Sequence, residues 1–597
     1  MDSLSLNNAR WVMPDAELSV VERVARQHSL PEIVARILIQ RGVPSEGVPA
    51  FLNPTLRDDF PDPFSLKDMA ALAKYVAEAI DAKKSIAIFG DFDVDGATSS
   101  ALLHRFLKQC GLDAPVYIPE RLSEGYGPNI GALTKLKEQG ADIVFLLDCG
   151  TTSFDVVEAA FEMGLEIIIL DHHEAEEGLP KARFVINPKR KDDESGLDVL
   201  AAVGVTFLTC VAINSQLRKN GFYEINGVSE PSIKSFMDIL ALGTVCDMVP
   251  LTGPNRLFVK HGFNVMQNSE NVGLNALIDV SGVSGPLTPY TAGFVLGPRI
   301  NAGSRVHKSD LGATLLSTED AEEAQNIAWT LNDCNDKRKA IQQEMEREAI
   351  NQVEDMGLDQ NPVLFVSSEN FHQGLSGLVA GRLKEKYGKP ACLVAFAENE
   401  KGEIEGRGSG RSIPGVHIAQ AFIDARNEGI IEKGGGHAMA GGFTVAKDNV
   451  PAFQVFLYAH IEKQMGNSEA NIHTPVEGIL TVRGAKPDFV RIVQDSLGPF
   501  GQGHAEPLFL FQNVRVWSAD IVGEAHIRVM ISDWEGGSRM KAMAFRSVGT
   551  PLGDALLKKG RAAFDILGTI KIDNWGGQDK VELHIKDANF VVEELAQ

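Results

Sequence analysis

The 597-residue chain has no long polar tract and no uninterrupted apolar run of bilayer length, so folded structure is expected throughout, with no membrane span. Its first residues, MDSLSLNNARWVMPDAELSV, lack the basic-then-apolar pattern of a secretory signal. Its six cysteines are scattered, without a CxxC pair or disulfide-like spacing. That argues against a thiolate zinc site and a disulfide framework and points to a reducing cytoplasm. Basic charge is in deficit as well: 57 Lys and Arg against 80 Asp and Glu leave a net charge of −23. Such a balance disfavours broad non-specific nucleic-acid binding. It leaves room for a narrow basic channel, and part of the acid is expected to face bound cations.

What is present is an ordinary globular composition, 44% hydrophobic and 23% charged, too long for one core. Residues 1–80 read as a helical and loop-rich region with proline clusters. From 85 onward short apolar runs at 85–89, 115–118, 143–147, 167–170 and 184–186 alternate with amphipathic stretches at 97–110, 130–139 and 153–163. Apolar strands alternating with helices imply a parallel sheet covered on both faces. A polar stretch from about 310 to 355, nearly free of Gly and Pro, reads as one or two long helices. A second α/β segment follows, and after about 470 strand-like segments at 508–516, 526–532, 540–545, 562–572 and 580–586 suggest a small β-barrel. The expected fold class is therefore α/β: two α/β domains at 81–270 and 359–465 joined by a motif segment and helical linker at 271–358, then a barrel domain at 466–597.

Ligands in open parallel sheets collect beyond the carboxyl ends of the strands. Here three apolar runs end on acids: 86–89 on Gly90-Asp91-Phe92-Asp93-Val94-Asp95-Gly96, 143–147 on Asp148-Cys149-Gly150, and 167–170 on Asp171-His172-His173. Carboxylates with imidazole suit Mg²⁺ or Mn²⁺. Crowded carboxylates repel without cations, and two ions sharing a carboxylate can activate a water against a phosphodiester. A lone Asp after a strand is often just a helix cap. The aspartate loop also opens like a calcium loop, but a strand precedes it and its twelfth position is Leu102 rather than Glu. Cys149 and Cys246 adjoin acids and read as packing residues, since soft sulfur suits such ions poorly.

The set GDFDVDGATS (90–99), LLDCGTTS (146–153), DHH (171–173) and GTVCDMVPL (243–251) resembles the DHH phosphoesterases, and its order and spacing are similar to the single-strand-specific DNA exonucleases among them. The resemblance implies two divalent ions, Mg²⁺ or Mn²⁺: one on Asp93 and Asp148, the other on Asp95, Asp148, His172 and Asp247, with Asp148 bridging. It places His173 at the scissile phosphate as electrophile or proton donor and leaves Asp91 in a supporting role. Some relatives carry a histidine four residues before the second loop aspartate; here Phe89 stands there, which implies a weaker or water-completed first ion shell.

Glycines let backbone amides approach phosphate while Arg and Ser supply donors, although any one such stretch is more simply a turn. Gly406–Ser412 and Gly434–Gly442 (GGGHAMAGG) are of this kind, and the second resembles the DHHA1 domain. That resemblance implies a 5′-phosphate pocket at Ser409 and Arg411 and places His437 near the substrate and metals. Gly297–Arg305 offers Arg299, Asn301 and Arg305 on a turn-rich segment similar to one lining the DNA path of the family, with surface acids as the competing partners of the arginines. GPFGQGHAEP (498–507) is similar to the family's entry to an OB-fold, with His504-Ala505 in place of Asn-Pro. OB-folds stack single strands on aromatics; Trp517, Phe545, Phe564 and Trp575 are candidates, none assigned individually.

The function expected is metal-dependent 5′→3′ exonuclease action on single-stranded DNA releasing 5′-mononucleotides, in recombination and repair. The partners implied by resemblance are single-strand binding protein and recombination or mismatch-repair helicases, with the chain a monomer. The rivals are a DHH/DHHA1 phosphodiesterase of short RNA or cyclic dinucleotides and a catalytically silent scaffold. The extra barrel weighs against the first and the full set of acids against the second.

Overall fold

The computed structural model describes residues 4–398, 402, 404–466, 472–558, 563–574 and 577–591. Contacts divide them into two compact units, Pro61–Ala470 and a second made of Met1–Phe60 with Asn471–Gln597. Among the described residues no helix is long and apolar enough to cross a membrane.

The larger unit holds two sheets. The first is all parallel, ordered Val116–Tyr117, Ile86–Gly90, Ile143–Leu147, Glu166–Leu170, Phe184–Ile186. Its central strands are buried on both faces, as continuous runs such as IVFLL require. Helix Val94–Gln109 starts inside the aspartate loop, three residues before the apolar pattern suggests. The cause is Asp93, whose carboxylate caps it by accepting from the Asp95 and Gly96 amides at 3.0 and 3.2 Å. Ala202–Lys219 and Met237–Cys246 pack on Val94–Gln109. They meet at Gly243, where a Cβ would overlap Thr98 Oγ1 and stand 2.8 Å from Val203 Cγ1.

The segment expected to be turn-rich at 297–305 is helical instead, Gly297–Val306, entered from a π-helical turn at Ala292–Leu296. Its glycines serve close packing rather than turning: a Cβ on Gly297 would lie 2.5 Å from Cys246 Sγ, and one on Gly303 3.0 Å from Leu331 Cδ2. Ala321–Asp355 then forms one 35-residue helix, about 50 Å long, capped by Asp320.

The second sheet is mixed, ordered Lys433–His437, Ala440–Ala446, Ile404–Arg411, Ala391–Glu398, Leu364–Ser368. Its glycine-rich motifs thus lie mostly in strands, the second as a hairpin that turns at Ala438-Met439. Space explains it: the Phe443 ring lies over Gly408, and a Cβ on Gly410 would stand 2.6 Å from Phe422 Cζ.

In the smaller unit Phe509–Val522, His526–Asp533, Arg539–Ala544, Lys580–Phe590 and Ala563–Asp573 close into a barrel through pairing of the first with the last. Helix Pro551–Leu557 joins the third and fourth strands in chain order. The sequence reading sets 1–80 apart as a region of its own. In the structure helices Leu18–His28 and Glu32–Gln40 share the barrel's core through Val21, Val24, Ile37 and Leu38. Strand Ala9–Val12 pairs parallel with Ile472–Pro475. His504 is buried there, stacked on Phe500 and hydrogen-bonded to the Leu497 carbonyl at 2.7 Å.

Because Gly243 sets the approach of three helices, Gly243→Val is expected to lower unfolding stability by about 1–3 kcal/mol. Chemical denaturation against the parent chain measures it; an unchanged midpoint would show that the junction yields freely.

Candidate active site

Three acids stand side by side at the carboxyl edge of the parallel sheet because each continues the ladder. The Asp91 amide donates to the Leu147 carbonyl at 3.2 Å, Asp148 to Leu170 at 3.0 Å, and Asp171 to Ile186 at 3.1 Å. Asp148 holds a positive φ of 60°, which a non-glycine residue adopts at some strain. Asp95, in the first turn of Val94–Gln109, accepts from the Ala202 and Val203 amides at 2.7 and 2.9 Å. It thereby ties that helix to the start of Ala202–Lys219. Asp247 follows the last residue of Met237–Cys246.

Imidazole fills the centre. His172 Nε2 lies 3.3 Å from Asp148 Oδ1, 3.6 Å from Asp247 Oδ2 and 3.8 Å from Asp95 Oδ2. His173 Nδ1 is 2.7 Å from Asp171 Oδ1 and its Nε2 3.1 Å from the Tyr126 hydroxyl. Tyr126 in turn donates to the Asp148 carbonyl at 3.2 Å. Asp171 also accepts from the backbone amides of Thr151, His172 and His173, so it orients the triplet instead of facing the cluster.

The electrostatics are those of a site lacking countercharge. Burial, reinforced by Asp93, pushes Asp95 up to about 7. Burial with Asp95 and Asp93 pushes Asp247 up to about 9. Asp91 and Asp148 are driven well above the carboxylate range, by burial first and neighbouring aspartates second. Burial and His173 lower His172 to about 4. For Asp171 burial works upward, but His173, with Thr151 and His172, outweighs it and holds the carboxyl well below its usual range. Asp91 Oδ1, Asp148 Oδ1, Asp247 Oδ2 and both ring nitrogens of His172 are buried without a hydrogen-bond partner. Native interiors rarely tolerate that, and divalent cations answer it.

The donors fall into groups that fit such ions: Asp91, Asp93 and Asp148; Asp95, His172 and Asp247; and Asp148, His172 and His173, the ligand atoms of each within 4.8 Å of one another. Carboxylate oxygen, alone or with imidazole, matches Mg²⁺ or Mn²⁺. Asp91, expected only in support, stands in the first group. Among the described residues no cysteine enters these groups. Phe89 points into the apolar core, stacked on Tyr117 with centroids 5.8 Å apart.

Beside the acids lies positive charge. Arg305 is half-buried; burial and its neighbours Arg121, Arg338 and Arg411 pull it down to about 9. Its Nη1 holds the Gly374 carbonyl at 2.7 Å. Arg411, depressed by burial and Arg121, lays its guanidinium against Gly377, where a Cβ would be 2.6 Å from Nη2. Arg299 binds Asn332 Oδ1 at 2.9 Å and the Val295 carbonyl at 2.7 Å. Arg299 and Arg305 bond to backbone carbonyls and an amide oxygen, and neither makes an ion pair among the described residues. Asn301 Oδ1 is buried and unpartnered. Ser409 and Arg411 lie on Ile404–Arg411; the exposed His437 ends the strand beyond, paired with Ala440, which pairs with Arg411.

The sequence reading missed Arg121 and Tyr126. Arg121 stacks over Phe92 at 4.5 Å and feels both Asp91 and Asp93. Both residues follow Val116–Tyr117, so the same strand-end rule, applied to a fourth strand, would have found them. In the barrel Phe564 is core, Trp517 is half exposed between Arg515 and Arg539, and Phe545 is exposed. Trp575 lies outside the described residues.

If uncompensated charge is the feature, Asp247→Asn will raise the melting temperature in chelator, because a buried acid is exchanged for a neutral isostere. Added Mn²⁺ will stabilise the parent chain more than the variant. Scanning calorimetry in chelator and in Mn²⁺ checks this; a variant less stable in both would contradict it.

The family model described as the DHH family, N-terminal domain matches residues 85–244, the DHHA1 domain 360–463 and the RecJ OB domain 476–587. The single-stranded-DNA-specific exonuclease RecJ of Bacillus subtilis is 30% identical over 97% of this chain and 70% of the relative. That of Dickeya dadantii is 32% identical over 87% and 89%, and that of Escherichia coli 32% over 77% and 80%. Among solved structures, RecJ in complex with Mn²⁺ from Thermus thermophilus matches with TM-score 0.79 at 26% identity, covering 98% of this chain and 80% of that one. An exonuclease RecJ bound to manganese matches with TM-score 0.57 at 30% identity, over 68% and 97%. With three family models in order along it and such identity across most of both chains, this chain belongs to the RecJ family of single-stranded-DNA-specific exonucleases.

Proposed function

We propose that the protein hydrolyses single-stranded DNA from its 5′ end with the help of two divalent ions, Mg²⁺ or Mn²⁺, releasing 5′-mononucleotides. One observation carries the reading. A carboxylate–imidazole cluster with orphaned buried donors shares one compact unit with a group of arginines in one another's field. The first wants cations and the second wants anions; a phosphodiester chain with metal ions satisfies both.

In this reading Asp91, Asp93 and Asp148 would hold one ion, and Asp95, His172 and Asp247 the other, with Asp148 near both groups. When bound, the ions supply a more acidic water and neutralise charge on the phosphate. Asp95 is already fixed by two backbone amides, so its free direction is set before any ion arrives. Asp171 holds His173 through Nδ1, leaving Nε2, beside the Tyr126 hydroxyl, to face the phosphate and give up a proton. His173 suits that role because burial lowers its pKa less than the Asp171 hydrogen bond and the other acids raise it. Ser409 and Arg411 receive the terminal 5′ phosphate, with His437 near it, and this sets polarity. Arg299, Asn301 and Arg305 carry the phosphates behind it. The barrel holds the incoming strand. The protein works as a cytoplasmic monomer in recombination and repair, alongside single-strand binding protein and recombination or mismatch-repair helicases.

The two histidines separate under test. His172→Ala should lose Mn²⁺ affinity with its activity. His173→Ala should keep Mn²⁺ affinity while kcat drops by about 10²- to 10⁴-fold. Calorimetric Mn²⁺ titration with single-turnover kinetics distinguishes them, and equal Mn²⁺ loss in both would sink the division of roles. For polarity, a long strand labelled at its 5′ end should yield labelled mononucleotide at once. Arg411→Ala should erase the advantage of a 5′ phosphate over a 5′ hydroxyl. Dinucleotides cut as fast as long strands would favour the short-oligonucleotide phosphodiesterase instead.

A further inference from the structure

The surface joined to the Asp247 helix is aromatic where solubility would favour polar residues. Helix Met237–Cys246 ends against the π-helical turn Ala292–Leu296, the Cys246 thiol donating to the Ala292 carbonyl at 3.4 Å. Single π-turns inside α-helices are rare and recur at functional sites. This one carries Phe294, 72% exposed, stacked on Tyr290, 68% exposed, with centroids 5.0 Å apart and planes at 24°. Met248, directly after Asp247, takes a φ of 62° and is 67% exposed. Arg299 lies one turn beyond Val295, whose carbonyl it holds, and reaches Asn332. Trp329, three residues before Asn332 and so on the same helix face, is 58% exposed.

We propose that Tyr290 and Phe294, flanked by Met248 and Trp329, form a shelf on which unpaired nucleobases stack while their phosphates pass the acids and Arg299. The inference rests on the nuclease reading and adds to it a base-recognising surface. A single strand taken from water exposes flat apolar bases, and aromatic faces accept any of them, which gives grip without sequence preference. Charge alone could hold the phosphates of a duplex equally well, whereas stacking requires bases free of their partners. A protein partner is the competing occupant. The direct attachment of the shelf to the helix end that delivers Asp247, with a guanidinium one turn away, favours the nucleic acid.

The test is a cycle between shelf and strand. Affinity of the chain in Ca²⁺ and hydrolysis in Mn²⁺ are measured on 5′-phosphorylated single strands. Each strand is intact or carries one abasic residue placed in turn along the first ~10 nucleotides. Removing the base at one or two positions should weaken binding by the parent chain by about 5- to 100-fold. The double variant Tyr290→Ala/Phe294→Ala should show a loss of that size on intact DNA and indifference to those abasic positions. Phe294→Trp should restore the sensitivity, which a merely structural effect would not do. Abasic and protein losses that simply multiply, or a parent chain indifferent to every abasic position, would overturn the shelf while leaving the nuclease reading intact. A parent chain that cuts no single strand would remove both. Unchanged DNA affinity in the double variant with a changed mass by light scattering would overturn it in favour of a protein contact.

Discussion

Everything at this site depends on the hydrogen-bond register at one end of a parallel sheet. Three strands end level, and the residue after each stays in the ladder by donating to its neighbour's last carbonyl. Adjacent parallel strands are only about 5 Å apart, so Asp91, Asp148 and Asp171 are forced together before any side chain is chosen. The fold tolerates this because the acids are used differently. Asp171 directs its charge at backbone amides and His173. Asp95 directs part of its charge at the start of Ala202–Lys219. Asp91 and Asp148 keep buried oxygens without partners, which suit them to hold cations.

The same separation of charge resolves the conflict between a net charge of −23 and a polyanionic substrate. Acid is gathered where ions can neutralise it. Arg121, Arg305, Arg338 and Arg411 sit where burial lowers their proton affinity, and for Arg305 and Arg411 the neighbouring arginines lower it further. An anion entering there relieves repulsion among the arginines as well as gaining contacts. Glycine strands under Phe443 and Phe422 build the platform that carries Ser409 and Arg411, so the second sheet serves the site through packing as much as through charge.

The parallel sheet, the acid-ended strands, the long linking helix and the barrel were legible from local pattern, because each is encoded by runs of adjacent residues. What escaped the pattern depends on distant contacts. The helical character of Gly297–Val306 follows from Cys246 and Leu331 filling the space that its glycines vacate, which composition alone reads as turns. Asp91 belongs with Asp93 and Asp148 because of sheet register, and nothing in the loop's own spacing distinguishes it from a cap. Arg121 and Tyr126 follow the run at 115–118, which ends on Pro119 rather than on an acid and so does not mark itself as an edge of the site. Residues 4–60 give no local sign that they complete the barrel's core, since Val21 and Ile37 meet Val490 and Leu497 from the far end of the chain.

The central claim is that Asp148 is shared between two ions. Its carboxylate lies within reach of Asp91 and Asp93 on one side and of His172 on the other. Equilibrium dialysis against Mn²⁺, on the parent chain and on Asp148→Asn, addresses it directly. The account predicts two ions per parent chain, with both sites weakened together in the variant. Loss of one ion alone, or two ions retained at unchanged affinity, would contradict it.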